Sequence, residues 1–331
     1  MPTVALLGLL TGCSAIDDDL SDCGPEQSDF ELNYQLKLVT NMTTELQTQL
    51  SAITETSIAS SLETHLKGIF SDYARDVNLS FYDAEGDLRR LWLDRQTMNA
   101  NQRSYTLTLP MHHYLHLAVA NLQGNGQVSL TDDEMAPTSA LRQDISAAAN
   151  GPLASHATGL FTARQQMNVL SGVSQTFNVR LYMANCAAAL VIDPRGHSYK
   201  DIRVVATGFA SQFNVSDSSY VFPSEAFQVE AEPLDNGTDP MLGFCSVNFP
   251  SRDGTRADGE GPLWQFKVYL KKTDDSITET VLNVSDPLKA GQLKVIKGYL
   301  DDDGAVRSTD QRVGISITLD WNNAGEHDFI L

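Results

Sequence analysis

The sequence is poor in basic residues and in cysteine, and it has no long hydrophobic run. Only 23 Lys and Arg stand against 42 Asp and Glu in 331 residues, a formal net charge of -19. A surface this acidic repels phosphate backbones, which argues against nucleic acid as a partner. No apolar run reaches the about 20 residues that a membrane-spanning helix needs, so we expect no transmembrane helix.

The four cysteines do not have the spacing of a metal site. They stand at positions 13, 23, 186 and 245, and no CxxC or CxxH pair occurs, so zinc binding has no support. Two alternatives remain for Cys186 and Cys245. They form a disulfide, which an exported protein permits, or they are separate, buried small apolar residues.

Signatures of catalysis and cofactor binding are also missing. The sequence has no G-x-S-x-G motif, and the "GNG" at 124–126 lacks the third glycine of a dinucleotide site. His113 and His116 are candidates for a metal pair, but their surroundings predict a strand, in which positions i and i+3 face opposite sides. We therefore predict no enzymatic activity.

Acidic loops and tryptophans each leave two interpretations. The "DDDGAV" at 301–306 has several carboxylates but lacks the alternating ligands of a calcium loop, so a hairpin turn is favoured. The glycine-rich segment 253–261 is similarly interpreted as a flexible loop. Trp92, Trp264 and Trp321 could stack on sugars, although tryptophans at strand ends more often belong to the core.

The start of the chain has the features of an export signal. Residues 1–12, "MPTVALLGLLTG", form a short apolar segment that ends in small residues, although no basic residue precedes it. Leu10-Thr11-Gly12-Cys13 resembles a bacterial lipobox, in which the cysteine is acylated and becomes the new N-terminus. The alternative is an ordinary secretory signal with a chance cysteine. Two or three acyl chains on Cys13 would attach the protein permanently to a membrane.

An acidic segment follows this cysteine. Residues 13–28 include Gly24-Pro25 and predict a tether without regular structure. Asp17, Asp18 and Asp19 are either a solvated charge run in this tether or a surface-export signal, because such residues after an acylated cysteine resemble the signal of Bacteroidetes lipoproteins.

Alternation of apolar and polar residues predicts strands along most of the chain. One helix is predicted from Ile58, Leu62, Leu66 and Ile69, which recur at spacings of four, four and three. A weaker helix is predicted from 138 to 149. The turn signals that separate the strands of the second half favour an antiparallel sandwich or barrel.

We predict two domains joined in a polar stretch that follows Gly151. The first, residues 29–172, is a β-sandwich with an inserted helix, and the second, residues 173–331, is a β-sandwich built almost entirely of strands.

The chain resembles the FimB/Mfa2 family of fimbrial anchor and accessory lipoproteins. The resemblance rests on "CSAIDDDLSDCG", "LNYQLKLVTNMTTELQTQL", "NLSFYDAEGDL", "YLHLAVANL", "LWQFKVYLK" and "VGISITLDW", and it covers essentially the whole chain. It implies a mainly β fold of two tandem transthyretin-like sandwiches and a lipid anchor at Cys13 in the outer membrane. It also implies contacts with fimbrial shaft or accessory subunits, and neither catalysis nor a cofactor.

The two ends of the chain bear on how such subunits would meet. Residues 313–331 are either the last strand of their own sandwich or a strand donated to a neighbour. The first basic residue after Cys13 is Lys37, so no clean maturation site precedes the first strand, which favours an anchor over a polymerising shaft subunit. The alternative function is a surface glycan-binding lipoprotein, which needs exposed aromatic residues on one face.

Overall fold

The computed structural model of the protein describes residues 27–33, 42–51, 56–70, 74–98, 104–170, 175–235, 237, 240–254 and 261–319. The predictions for the signal peptide, for Cys13 and Asp17 to Asp19, and for the last twelve residues of the chain fall outside this range.

The described chain is mainly β, as predicted. Its helices are α1 (Met42–Ser51), α2 (Thr56–Ile69) and a 3₁₀-helix (Ser146–Asn150). The strands before residue 170 are β1 (Gln27–Asn33), β2 (Asp76–Asp83), β3 (Arg90–Thr97), β4 (Ser104–Pro110), β5 (His112–Ala120), β6 (Val128–Thr131), β7 (Ala140–Gln143) and β8 (Phe161–Val169).

The chain after residue 175 continues with strands β9 to β22. They are β9 (Thr176–Asn178), β10 (Tyr182–Met183), β11 (Cys186–Asp193), β12 (Asp201–Thr207), β13 (Gln212–Asn214), β14 (Ser219–Val221), β15 (Gln228–Glu230), β16 (Glu232–Pro233), β17 (Leu242–Asn248), β18 (Trp264–Lys271), β19 (Ile277–Val284), β20 (Leu293–Leu300), β21 (Val306–Ser308) and β22 (Val313–Leu319).

Within the described residues these strands form five sheets. Their strand orders are β4-β1-β9, β10-β8-β5-β2-β3, β14-β13-β7-β6, β16-β17-β11-β20-β21 and β15-β12-β18-β19-β22. Pairing is antiparallel in most of these ladders, as predicted, but β1 with β9 and β11 with β20 are parallel. These parallel pairs join strands that are distant in sequence, which local patterns do not reveal.

Three large apolar clusters hold the sheets together in the described part of the chain, besides a small one formed by Leu153, Phe227 and Val229. The first core lies between α2, the β2, β5 and β8 strands and one face of β11 and β17. The second lies between the other face of β11 and the sheet that contains β12, β18 and β19. Strand β11 is therefore buried on both faces, which explains its uninterrupted apolar run "CAAALVI".

The third core joins the two halves of the sequence. It packs the second face of β2 and β5 against the four-stranded sheet. In that sheet, β6 and β7 precede residue 172, β13 and β14 follow it, and β7 pairs directly with β13. The two halves thus share both a sheet and buried side chains, while the domain boundary at 172 stays a prediction.

Helix α2 matches its prediction and lies against the second half of the chain. Ile58, Leu62, Leu66 and Ile69 are all buried in the first core. A side chain on Gly243 of β17 would collide with the Cδ1 of Ile58. The absence of a side chain at this position lets the helix approach the sheet closely.

The predicted helix from 138 to 149 is wrong. Ala140–Gln143 forms strand β7 at the centre of the shared sheet, and only Ser146–Asn150 is helical, as a 3₁₀ turn. The fully buried Leu141 packs in the third core. Tertiary pairing with β6 and β13 therefore overrides the local helical preference of this alanine-rich segment.

Candidate functional site

The described residues hold neither a metal cluster nor a membrane-spanning helix. His113 and His116 lie in strand β5, and His116 is fully buried whereas the His113 side chain is 45% exposed. No group of three or more possible metal ligands occurs in the described ranges. Neither described α-helix is both long and apolar enough to cross a bilayer.

The acidic hairpin at 301–306 uses its carboxylates internally. The turn is closed by the Gly304 N–H, which donates to the Asp301 carbonyl at 2.9 Å. Arg307 then binds Asp301 at 3.2 Å and Asp303 at 2.7 Å. The hairpin interpretation is confirmed, because these carboxylates neutralise an arginine of the following strand. Residues 255–260 of the other acidic loop lie outside the described range.

The disulfide alternative for Cys186 and Cys245 is corrected by the structure, in which both thiols are free and buried. Cys245 lies opposite Ala189 in the β11–β17 ladder, three residues from Cys186. Because side chains alternate along a strand, Cys186 packs in the second core and Cys245 in the first. Burial raises the pKa of each thiol. The apolar alternative therefore describes both residues.

The two most exposed aromatic side chains among the described residues lie far apart. Trp264 is 1% exposed, and its indole N–H donates to the Asp286 carbonyl at 3.1 Å. Trp92 is 44% exposed and Tyr182 is 51% exposed, but they lie on opposite edge strands of the same five-stranded sheet. Four strand spacings separate them by about 19 Å. Trp321 lies outside the described residues.

A surface cavity lies beside a stacked arginine. A cavity of about 600 Å³ is lined by Tyr220, Phe222, Arg252 and Lys289, among others. The Arg252 guanidinium lies 4.4 Å from the centre of the Phe222 ring. The Tyr220 hydroxyl donates to the Ala184 carbonyl at 3.1 Å, and burial raises its pKa. This hydroxyl therefore supports the fold and is not suited to acid–base catalysis.

Strand β22 forms one end of the last sheet. It pairs with β19 of the same chain over seven residues, from Val313 opposite Val284 to Leu319 opposite Thr278. In the described segment 313–319, the C-terminal region is thus the last strand of its own sandwich. Its free edge ends the strand order β15-β12-β18-β19-β22, and Ile315 is 36% exposed.

Strand β3 forms an edge of the sheet that faces both the first and the third core. All eight of its residues are partly or fully exposed, while the neighbouring β2 is almost entirely buried. The register between the two strands shifts between Phe81 and Tyr82, which indicates a bulge at the start of β3. Among the described edge strands, β3 is the longest, and it also carries an exposed tryptophan, Trp92.

A tight turn positions the start of β3. The Asp83 carboxylate accepts hydrogen bonds from the Glu85 and Gly86 N–H groups at 3.0 and 2.8 Å and from the His112 ring at 2.7 Å. The His112 bond is the main cause that holds the pKa of Asp83 below its usual range. A side chain on Gly86 would collide with this carboxylate. Position 86 therefore requires glycine because no larger side chain fits beside Asp83. The left-handed backbone conformation of this loop occurs at Leu88 instead, with a φ of 59°.

Sequence reasoning located β3 but not its exposure. The signal was present in "LRRLWLD", where Leu91 and Trp92 are adjacent and so point to opposite faces of the strand. Three arginines also occur within Arg89 to Arg95, in a chain with a large excess of acidic residues.

Solved structures from Bacteroides share the architecture described above. A candidate adhesin from Bacteroides ovatus aligns with 92% of this chain and 100% of its own, with 15% identity and a TM-score of 0.52. A second candidate adhesin from Bacteroides ovatus aligns with 88% of this chain and 94% of its own, with 11% identity and a TM-score of 0.52. At these identities the similarity establishes the fold alone.

The structural neighbours also include the fimbrial anchor protein Mfa2 from Porphyromonas gingivalis. It aligns with 75% of this chain and 91% of its own, with 11% identity and a TM-score of 0.43, a level at which nothing further is inferred. No protein-family model and no curated protein matches the sequence.

Proposed function

We propose that the protein is a lipid-anchored subunit of a surface fimbria, which it attaches to the outer membrane or whose assembly it regulates. The observation that carries this proposal is the similarity in fold, over 92% of the chain, to a structure described as a candidate adhesin. The sequence Leu10-Thr11-Gly12-Cys13 supports the lipid anchor. Shaft or accessory subunits are the proposed partners.

The proposed contact with neighbouring subunits is made through strands. An edge strand leaves backbone N–H and C=O groups on one side without a ladder partner. An extended segment of another subunit can supply these hydrogen bonds and place alternate side chains against the sheet. The described part of the C-terminal region already pairs with β19, so we propose that the edge of β22 takes part in contacts between subunits.

Substitution of Cys13 tests the lipid anchor in cells. Cys13→Ser removes the only thiol of the proposed lipobox, and Cys23→Ser is the matched control, because it removes the next thiol of the same tether. We expect Cys13→Ser to abolish incorporation of labelled fatty acid, to release the protein from the outer-membrane fraction, and to release fimbriae into the medium. Cys23→Ser should behave as wild type. Unchanged labelling and location in Cys13→Ser would contradict the proposal.

The acidic run tests whether the protein faces outward. Replacing Asp17, Asp18 and Asp19 together by Asn should leave acylation intact but protect the protein from protease added to whole cells. A solvated tether without a signalling role predicts no change in protease sensitivity. Substituting Asp29 and Glu31, which lie in β1 beyond the tether, provides the control for loss of charge.

A further inference from the structure

Three loops beside the second core are joined by hydrogen bonds. The Ala210 N–H, after β12, donates to the Pro250 carbonyl, after β17, at 3.0 Å. The Ser251 N–H donates to the Leu288 carbonyl at 3.0 Å, and the Leu288 N–H donates in return to the Ser251 Oγ at 2.8 Å. Ser251 is only 4% exposed. These bonds fix the backbone from which the Arg252 side chain projects.

The Arg252 guanidinium, stacked on the Phe222 ring, lines two cavities. The larger cavity, of about 600 Å³, is also lined by Lys289, and the smaller, of about 180 Å³, is also lined by Trp264 and Gln265. The larger volume lies in the range of about 300–1,000 Å³ that small-molecule sites occupy. Binding residues concentrate on loops that a rigid scaffold holds in place. The stacked pair is therefore a wall common to two neighbouring cavities.

One positive charge in these cavities has no counter-ion among the described residues. The Lys289 Nζ lies 4.0 Å from Asp253, which lines the same cavity, so these two charges balance each other. Arg252 is exposed and forms no ion pair with any residue that the structure describes. Because the ring covers one face of the guanidinium, the N–H groups at its edge match the two oxygens of a planar carboxylate. The formal net charge of -19 repels ligands with several negative charges, so the site favours a ligand with one carboxylate.

Both cavities combine hydrogen-bonding groups with aromatic rings. Ser218 and Asp253 line the larger cavity together with Tyr220, and Ser224 and Gln265 line the smaller one together with Trp264. Hydroxyl and amide groups both donate and accept hydrogen bonds, as sugar hydroxyls require. Aromatic rings suit the apolar C–H faces of the same sugars. This mixture favours a ligand that is rich in hydroxyl groups over a purely apolar one.

We propose that the two cavities bind an acidic saccharide, a short sugar chain that contains one uronic acid. The Arg252 guanidinium donates two hydrogen bonds to the carboxylate of the uronic acid, at the wall between the cavities. Sugar rings on either side occupy the two cavities, where Lys289 and Asp253 bind hydroxyl groups in the larger one. This inference does not depend on lipid anchoring or on contacts between subunits.

Two disaccharides that differ in one group provide a direct probe. Cellobiouronic acid carries a carboxylate where cellobiose carries a CH₂OH group, so the comparison isolates recognition of the acid. The full chain is titrated with both, and with acetate and an end-capped Gly-Glu-Gly peptide, which carry the same charge without the sugar. Binding is followed by calorimetry and by NMR of the arginine Nε–H groups. We expect cellobiouronic acid to bind at least about tenfold more tightly than each of the other three probes.

Variants of two stacked arginines locate the site. Arg252→Gln removes the guanidinium, and Arg195→Gln is the matched control, because Arg195 is also exposed and lies 3.3 Å from the centre of the Tyr299 ring. Arg252→Gln should weaken binding of cellobiouronic acid about 10-fold to 100-fold, whereas Arg195→Gln should bind as wild type. Arg252→Lys keeps the charge but loses the planar pair of donors, so full affinity should not return. The Nε–H signal that Arg252→Gln removes should shift on titration of the wild type.

Five results would overturn the proposal. No binding of cellobiouronic acid, or equal binding of cellobiose, would show that no acidic sugar is recognised. Equal binding of acetate would leave a simple anion site only. Equal or tighter binding of the Gly-Glu-Gly peptide would make a protein segment the occupant. Unchanged binding in Arg252→Gln would place the site elsewhere. Circular dichroism checks that each variant folds.

Discussion

Gly243→Ala is expected to push helix α2 away from the sheet on which it packs. The new Cβ would meet the Cδ1 of Ile58 and lie 3.0 Å from the Cδ1 of Leu234. Overpacking of this kind costs about 1–3 kcal/mol. Loss of glycine flexibility in the unfolded chain offsets about 0.4–1 kcal/mol of that cost. The φ of Gly243 is not positive, so alanine adds no backbone strain. The expected net loss of unfolding free energy is about 1–2 kcal/mol.

A second substitution removes the atom responsible. Ile58→Val deletes Cδ1 from a fully buried side chain and alone should destabilise the protein by about 1 kcal/mol. In the double variant the alanine Cβ occupies the space that Cδ1 left. We therefore expect the double variant to be about as stable as Ile58→Val alone, which corresponds to a coupling of about 1–2 kcal/mol.

Urea unfolding of the four proteins, followed by far-UV circular dichroism, measures this coupling. A matched control combines Gly243→Ala with Leu66→Ala, a buried residue two turns further along the same helix, and these two substitutions should be additive. Additive effects of Gly243→Ala and Ile58→Val would refute the reasoning, because they would show that the helix does not press on this part of β17.

Two further predictions follow from buried groups. Burial lowers the pKa of His116 and of His156 to about 4. As the pH falls below about 6.5, these two histidines therefore bind protons in the unfolded chain before they do so in the folded protein. The free energy of unfolding should then decrease by up to about 2.7 kcal/mol per pH unit until about pH 4. His156→Gln should roughly halve this slope in urea titrations at several pH values, and an unchanged slope would contradict the burial of His156 as a neutral ring. Cys186 and Cys245 should resist alkylation in the native protein, and both should react after unfolding without reductant. Intact mass measures the number of alkylated thiols. Protection of these two cysteines in the unfolded protein would indicate a disulfide and contradict the prediction.

Segments with one clear periodicity could be predicted from the sequence. Helix α2 follows directly from the spacing of its four buried residues, and β2, β5, β18 and β19 follow from strand patterns between turn signals. The placement of His113 and His116 on opposite faces of β5 also followed from alternation. These features depend on local residues only, which is why a single sequence specifies them.

Features that depend on distant pairing could not be predicted. The strand β7 is only four residues long, and its partners β6 and β13 make it a strand. The opposite placement of Cys186 and Cys245 depends on the register of β11 with β17, which no local pattern sets. The exposure of Trp92 follows from the position of β3 at the end of its sheet, and strand order is likewise a property of the whole chain.

The mass of the mature N-terminal peptide tests the central claim most directly. Trypsin cuts after Lys and Arg, and the first such residue after Cys13 is Lys37, so one peptide from the outer-membrane protein reports the whole tether. We predict that this peptide begins at Cys13 and carries a diacylglycerol thioether. A peptide that begins elsewhere, or an unmodified Cys13, would contradict the account of a lipid-anchored surface subunit.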